Sequence, residues 1–387
     1  MYTLINVIYT VGQDSTDFTS QPRGLMTTQF SIAVFNGDGI GPEIMAPTLD
    51  ILTGLAAASD AYDLSFTELP AGANHYATTG EALPKTSLDA ARAADAILLS
   101  AMGMPDIRYS DGTEISPQIE LRKALQLFAG VRPVTVHPGQ PTPLKMPDGK
   151  HIDFVLVRES TEGLFHTQGK GTITKDTAQE TLQITRATSE KLFDFAFKLA
   201  SARKSAGRGP GKVTCVDKAN VFRAFAFFRE IFDEAAQHYP NIAHDHAYVD
   251  ATALWMVQKP WDFDVMVTEN MFGDILSDLG AGLMGGLGLA PSADIGLDHA
   301  VFQPCHGSAP DIAGKGVANP FAMFLSAAMM LDWLGKKHSN NSMIHDATRL
   351  RTAVNEVVAT GRTLTRDLGG TATTTQACQA VTDRLAL

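Results

Sequence analysis

Short apolar runs alternate along the chain with longer stretches of helical period. Phe30-Ser31-Ile32-Ala33-Val34-Phe35 reads as a strand that stops at Asn36-Gly37-Asp38-Gly39-Ile40-Gly41-Pro42, and a helix pattern follows from Glu43 to about Ala57. Ala96–Leu99, Phe154–Val157 and Val265–Val267 are uninterrupted apolar runs and Val213–Val216 is broken only by Thr214, the mark of strands buried on both faces. The periodicity predicts further helices near 116–128, 186–203, 219–237, 319–334 and 344–360. Strands that alternate with helices predict an α/β sheet with covered faces. Between Thr167 and Arg186 the period changes to two, at 169–175 and 180–185, which predicts two antiparallel strands forming an arm beyond the main sheet.

A chain of 387 residues is long enough for two domains. The formal net charge is −11, and the basic stretch from Lys198 to Lys212 is broken by Gly, Ser and Pro, so nucleic acid is not an expected partner. Three cysteines without a CxxC pair, Cys215, Cys305 and Cys378, argue for a reducing, cytoplasmic setting and against a zinc or disulfide framework. No apolar run reaches the length of a membrane span. The start of the chain has neither the basic leader nor the small-residue cleavage site of a signal peptide, so residues 1–25 are expected to form a weakly ordered leader.

Several residues carry candidate chemistry. Asp274 and Asp278 are four apart, which places both carboxylates on one helix face. Such a pair is commonly a solvated acidic face, but the apolar stretch from Gly280 to Ala290 suggests burial and hence a hard cation, Mg2+ or Mn2+. Asp250 is a third candidate ligand. Arg122 and Arg132 flank a short predicted helix, and Arg158 ends an apolar strand. They could fork onto substrate carboxylates or form three separate structural salt bridges. Lys218 suits a general base among cations, or is a plain lysine at a helix start; Asn220 lies beside it. The run from His306 to Pro320 is rich in loop formers yet does not match a Walker A loop, and Gly37–Gly41 lacks the spacing of a Rossmann fingerprint.

Taken in order, these segments resemble the β-decarboxylating dehydrogenases of the isocitrate/isopropylmalate family. The resemblance rests on the Gly37–Pro42 turn, Leu121-Arg122, Val131-Arg132-Pro133, Arg158-Glu159-Ser160-Thr161-Glu162-Gly163, Asp217-Lys218-Ala219-Asn220, the Asp274/Asp278 helix and His306–Pro320. It implies an isopropylmalate-dehydrogenase-like α/β fold, non-Rossmann, with two open domains that share a central sheet. Residues 1–27 would be the leader, 28–127 with 285–387 a cofactor-binding domain, and 128–284 a substrate and dimerisation domain with an intersubunit arm at 167–186. Arg122, Arg132 and Arg158, with Ser116, Gln118 and Asn220, would hold the substrate. Asp250, Asp274 and Asp278 would hold Mg2+ or Mn2+. Lys218 and Asp250 would come from the neighbouring subunit of a homodimer, and Lys218 would move the hydroxyl proton. His306, Gly307, Ser308, Ala309, Asp311, Ala318 and Asn319 would hold the nucleotide. An acid at Asp311 repels a 2′-phosphate, which favours NAD over NADP.

Two departures bear on function. The family has Tyr after Glu-Gly-Leu, as the acid that protonates the enol; here that position is Phe165, which cannot donate. Water, His166 or Lys218 would substitute, or the keto acid would be released before decarboxylation. Isopropylmalate enzymes have leucines where Gln118 and Ile119 stand, so the amide points to a polar substrate. The expectation is therefore oxidation, with β-decarboxylation, of isocitrate, D-malate or tartrate; the alternatives are 3-isopropylmalate dehydrogenase and a non-catalytic regulatory subunit. The phosphorylated hydroxythreonine dehydrogenases bind metal through histidines, and no histidines cluster with these acids in the sequence.

Overall fold

The computed structural model describes residues 27–387; the expected leader at 1–25 lies outside them. The strands are β1 (Thr28–Phe35), β2 (Tyr62–Glu68), β3 (Ala96–Leu99), β4 (Ala129–Thr135), β5 (Asp153–Glu159), β6 (Thr172–Ile173), β7 (Ala178–Gln179), β8 (Lys212–Asp217), β9 (Ala243–Tyr248), β10 (Val265–Thr268), β11 (Pro291–Ile295) and β12 (Ala300–Pro304). The helices are α1 (Gly41–Ala57), α2 (Ala73–Thr79), α3 (Lys85–Ala93), α4 (Pro117–Ala124), α5 (Arg186–Ser205), α6 (Arg223–Ala236), α7 (Val249–Gln258), α8 (Asn270–Leu283), α9 (Phe321–Lys337), α10 (Asn341–Thr360) and α11 (Thr374–Leu385).

Ten strands form one sheet in the order β2-β1-β3-β12-β11-β4-β5-β10-β8-β9. β2, β1, β3 and β12 pair in parallel, as do β5, β10, β8 and β9. Between these two parallel sets, β11 and β4 pair antiparallel with each other and with their outer neighbours. The chain enters the second half with β4 and returns to the first with β11. The uninterrupted apolar strands owe their pattern to helices on both faces: Phe154, Val155, Leu156 and Val157 have no exposed surface. α9 is hydrophobic nearly all round, which fits a helix buried against the sheet and α10. Among the described residues, no helix is long and apolar enough to cross a membrane.

Some expectations shift. The helix predicted for 116–128 spans only Pro117–Ala124, because Leu127 and Phe128 turn into β4. The helix predicted from 219 starts at Arg223, after a turn in which the Lys218 carbonyl accepts the amides of Val221 and Phe222. The arm exists as a hairpin, but its paired strands are only Thr172–Ile173 and Ala178–Gln179. Arg132 does not flank a helix as expected; it lies inside β4, where a buried acid on the next strand makes a buried guanidinium tolerable.

Candidate active site

The chain folds five candidate segments around one cavity of about 400 Å3, lined by Arg122, Arg132, Arg158, Asp274, Asp278, Ser116, Gln118, Ile119, Phe165, His306 and Gly307 among others. Arg122 arrives on α4, which Pro117 starts at a position where the missing amide costs nothing. Arg132 comes from the middle of β4 and Arg158 from the end of β5.

A residue absent from the sequence-based set organises the arginines. Asp294, on β11, is fully buried. Its carboxylate accepts hydrogen bonds from Arg122 Nε (2.9 Å), Arg132 Nη2 (3.2 Å) and Gln303 Nε2 (2.6 Å). Burial works against its charge, but Arg122, Arg132 and Arg158 outweigh it and hold the carboxyl below its ordinary pKa. Arg132 also donates to the carbonyls of Val131 and Ala293, so two sheet-bound partners fix its plane.

Arg158 is held differently. Asn270, the first residue of α8, accepts from Arg158 Nε (2.9 Å) and Nη2 (2.6 Å), while Asp274 pairs with Nη1. Burial, and then the neighbouring Arg122, lower the Arg158 pKa to about 10. The guanidinium lies 5.3 Å from the centre of the Phe165 ring. Gly273 leaves room for this arrangement: a Cβ there would stand 2.6 Å from Arg158 Cγ. Gly273→Ala must therefore push the Arg158 stem aside, and substrate KM should rise about tenfold or more with the melting temperature lowered by a few degrees; steady-state kinetics with thermal melting checks this, and an unchanged KM would mean that Arg158 does not position substrate.

Asp274 and Asp278 stand one turn apart on α8 and both line the cavity. Burial, and then the Asp274 charge, raise the Asp278 pKa. This donor set fits a hard divalent cation, which would relieve the repulsion. The expected full burial of the pair is not found: the Asp274 side chain is 49% exposed, because α8 has an outer face on which Ile275 also stands. Asp250 does not join them. It pairs with Lys218 (2.5 Å), neither residue lines the cavity, and among the described residues no three acidic, histidine or cysteine side chains cluster as a metal site. Asn220 is exposed beside Lys218, and His166 is outside the cavity.

The segment expected to hold the nucleotide packs on the glycine turn. Ile40 donates its amide to the Ser308 carbonyl (2.8 Å), and the Ser308 hydroxyl donates to the Gly103 carbonyl. Buried Asp38 ties the turn down by accepting amides of Ala73, Asn74 and Gly103 at 2.8 to 2.9 Å. Gly37 has φ +75°, and a Cβ there would collide with the Ala101 carbonyl. Ala309 adopts φ +38°, Asp311 is exposed, and Ala318 and buried Asn319 close the segment, with Asn319 donating to Asp367 (2.8 Å). His306 Nε2 is buried without a hydrogen-bond partner. An orphaned ring nitrogen beside an open cavity fits a bound polar ligand such as a nucleotide.

The sequence profile of isocitrate/isopropylmalate dehydrogenases matches residues 31–385. The chain belongs to the isocitrate/isopropylmalate dehydrogenase family. It is 42% identical over 357 residues to the 3-isopropylmalate/3-methylmalate dehydrogenase of Methanocaldococcus jannaschii, covering 92% of this chain and 98% of that one. Homoisocitrate dehydrogenase of the same organism is 41% identical over 88% of this chain and 93% of its own length. Among solved structures, isocitrate dehydrogenase from Methylococcus capsulatus superposes with a TM-score of 0.78 at 36% identity, over 92% of this chain and all of that chain. As a member of this family the protein is an NAD-dependent oxidoreductase that acts on the CH–OH group of a hydroxy acid and uses Mg2+ or Mn2+.

Glu159 closes β5 next to Arg158 and is buried; burial raises its pKa to about 7 although the amides of Thr161 and Glu162 donate to it. A raised carboxyl pKa means that the folded state binds the proton more tightly than the unfolded state. Its contribution is complete below the ordinary value of about 4.5 and is lost as pH rises through about 7. Over that window the protein should lose about 3 kcal/mol relative to Glu159→Gln, whose stability lacks this slope. Urea titrations of both proteins across the window check it, and parallel curves would show that Glu159 stays ionised.

Proposed function

We propose that the protein oxidises and decarboxylates a malate bearing a 3-substituent and only two carboxylates, of the 3-isopropylmalate type, with NAD and Mg2+ or Mn2+. The observation that carries this reading is the charge around the substrate. Arg122 and Arg132 share the Asp294 carboxylate, and a divalent cation held by Asp274 and Asp278 would balance those two acids, so the three guanidinium groups would offer two net positive charges to the substrate. That matches a dicarboxylate. A third carboxylate would face neutral Gln118 and Ile119, with Glu114 lining the same cavity. This takes up the alternative drawn from the sequence in place of its main expectation of isocitrate, D-malate or tartrate, and the relative named 3-isopropylmalate/3-methylmalate dehydrogenase supports it. Gln118 favours a second reading, a dicarboxylate with a 3-hydroxyl such as tartrate, because its buried Oε1 has no hydrogen-bond partner.

In this mechanism Arg122, Arg132 and Arg158 clamp the two carboxylates and fix the 2-hydroxyl toward Asp274 and Asp278. When bound, the divalent cation supplies Lewis acidity at the hydroxyl and NAD supplies the hydride acceptor. Lys218 takes the hydroxyl proton. Its distance from the cavity, together with the pairing of Lys218 to Asp250, supports a homodimer in which these two residues complete the partner's site. Leu254 and Val257 on α7 and Ile275 on α8 leave an apolar surface exposed for that contact. The halves split at β11 and β4 would be the cofactor and substrate domains, with the segment from His306 to Asn319 on the nucleotide, Asp311 excluding a 2′-phosphate, and the 167–186 arm reaching the partner.

With NAD and Mn2+, NADH and CO2 should form together from 3-isopropylmalate, and removal of metal by EDTA should abolish both; no turnover of any dicarboxylic malate would overturn the reading. Phe165 offers no proton to the enol. Phe165→Tyr should speed CO2 release about 10- to 100-fold where that protonation limits the rate. Single-turnover CO2 measurements check it, and equal rates would show that another donor already serves.

A further inference from the structure

A second cavity, of about 520 Å3, lies behind β4 and β11, on the face of the sheet opposite the arginines. The pleat sets this: Arg132 and Asp294 point to the active site, while their neighbours Pro133, Ala293 and Ile295 line the second cavity. It spans both halves of the sheet, from His137 and Met284 on one side to α9 and α10 on the other. Its size and its largely apolar wall, with Phe302, Leu325, Met329 and Trp333, are those of a small-molecule site.

The polar wall is selective. Thr348, Arg351, Thr352 and Asn355 repeat at helical spacing and put one face of α10 into the cavity. The charged groups around them are already matched: Asp332 pairs with Lys336 (2.7 Å), Glu356 with Arg384 (2.5 Å) and Arg208 with Asp153 (2.8 Å). Arg351 makes no ion pair or hydrogen bond among the described residues; its charge acts only at longer range, on buried Asp332, on Lys336 and on His137. The Trp333 indole N–H is likewise buried without an acceptor.

We propose that this cavity is a second ligand site, separate from the active site, for a small carboxylic acid with a branched apolar body. The carboxylate meets Arg351 and the body fills the space beside Phe302, Leu325 and Trp333. A guanidinium with free donors beside apolar wall suits that combination, since it binds a carboxylate in a planar fork.

Calorimetric titration of the full chain with 4-methylpentanoate tests it. Saturable binding is expected, weakened about tenfold or more by Arg351→Gln and by replacing the probe with 4-methylpentanamide, and left unchanged by Arg132→Met. The uncharged probe on the unmodified protein carries the test even where Arg351→Gln fails to fold. No binding up to ~10 mM, equal affinity for acid and amide, or binding lost in Arg132→Met instead would each overturn the proposal.

Discussion

Lys218→Met should lower kcat about 10²- to 10⁴-fold while changing substrate KM little, because the side chain is asked to move a proton and not to hold a carboxylate. In a single chain Lys218 pairs with Asp250, away from the arginine cavity. Its loss would thus appear only in the subunit whose site it completes. Mixing inactive Lys218→Met chains with inactive Asp274→Asn chains should restore activity, since each hybrid dimer holds one site with both native residues. Hybrids without activity would place Lys218 in a structural role. A loss of activity no greater than the loss of folded protein on thermal melting would point the same way.

Asp294→Asn should do the next most damage. The substitution keeps shape but leaves the buried guanidinium of Arg132 and the mostly buried one of Arg122 facing a neutral amide. Breaking a buried charge pair by removing one partner costs about 3–5 kcal/mol, and two arginines depend on this one. Substrate KM should rise by about two orders of magnitude as Arg122 and Arg132 lose their common orientation, and the protein should melt at lower temperature. Kinetics and thermal melting measured together separate the two effects. A variant that is less stable but has normal KM would mean that Asp294 serves the fold alone. The same substitution adds a net positive charge to the site, so it should narrow the preference for dicarboxylates over tricarboxylates.

The sequence exposes much of this architecture for physical reasons. Strands covered on both faces are apolar over most of their length, so the middles of β3, β5, β8 and β10 stand out as runs. β9, Ala243–Tyr248, does not: an edge strand with histidines and an aspartate carries no such signal. β11 is harder still, since Pro291-Ser292-Ala293-Asp294-Ile295 mixes polar residues into a fully buried strand. A carboxylate can live there because pairing with β4 brings Arg132 beside Asp294 and Arg122 closes on it as well, and that is tertiary information. The same gap hid Asn270, which grips Arg158 from 112 residues away. The arginines and the acids Asp274 and Asp278 were legible as candidates because their charge is costly in apolar surroundings. The structure brings these into one cavity and leaves Lys218 and Asp250 outside it.

If two net positive charges select a dicarboxylate, kcat/KM for 3-isopropylmalate against isocitrate, with NAD and Mn2+ at equal ionic strength, should show it. The account predicts that 3-isopropylmalate is used at least ~100-fold better, the scale expected when a third carboxylate must be buried without a partner. Equal use of the two acids, or a preference for isocitrate, would contradict it.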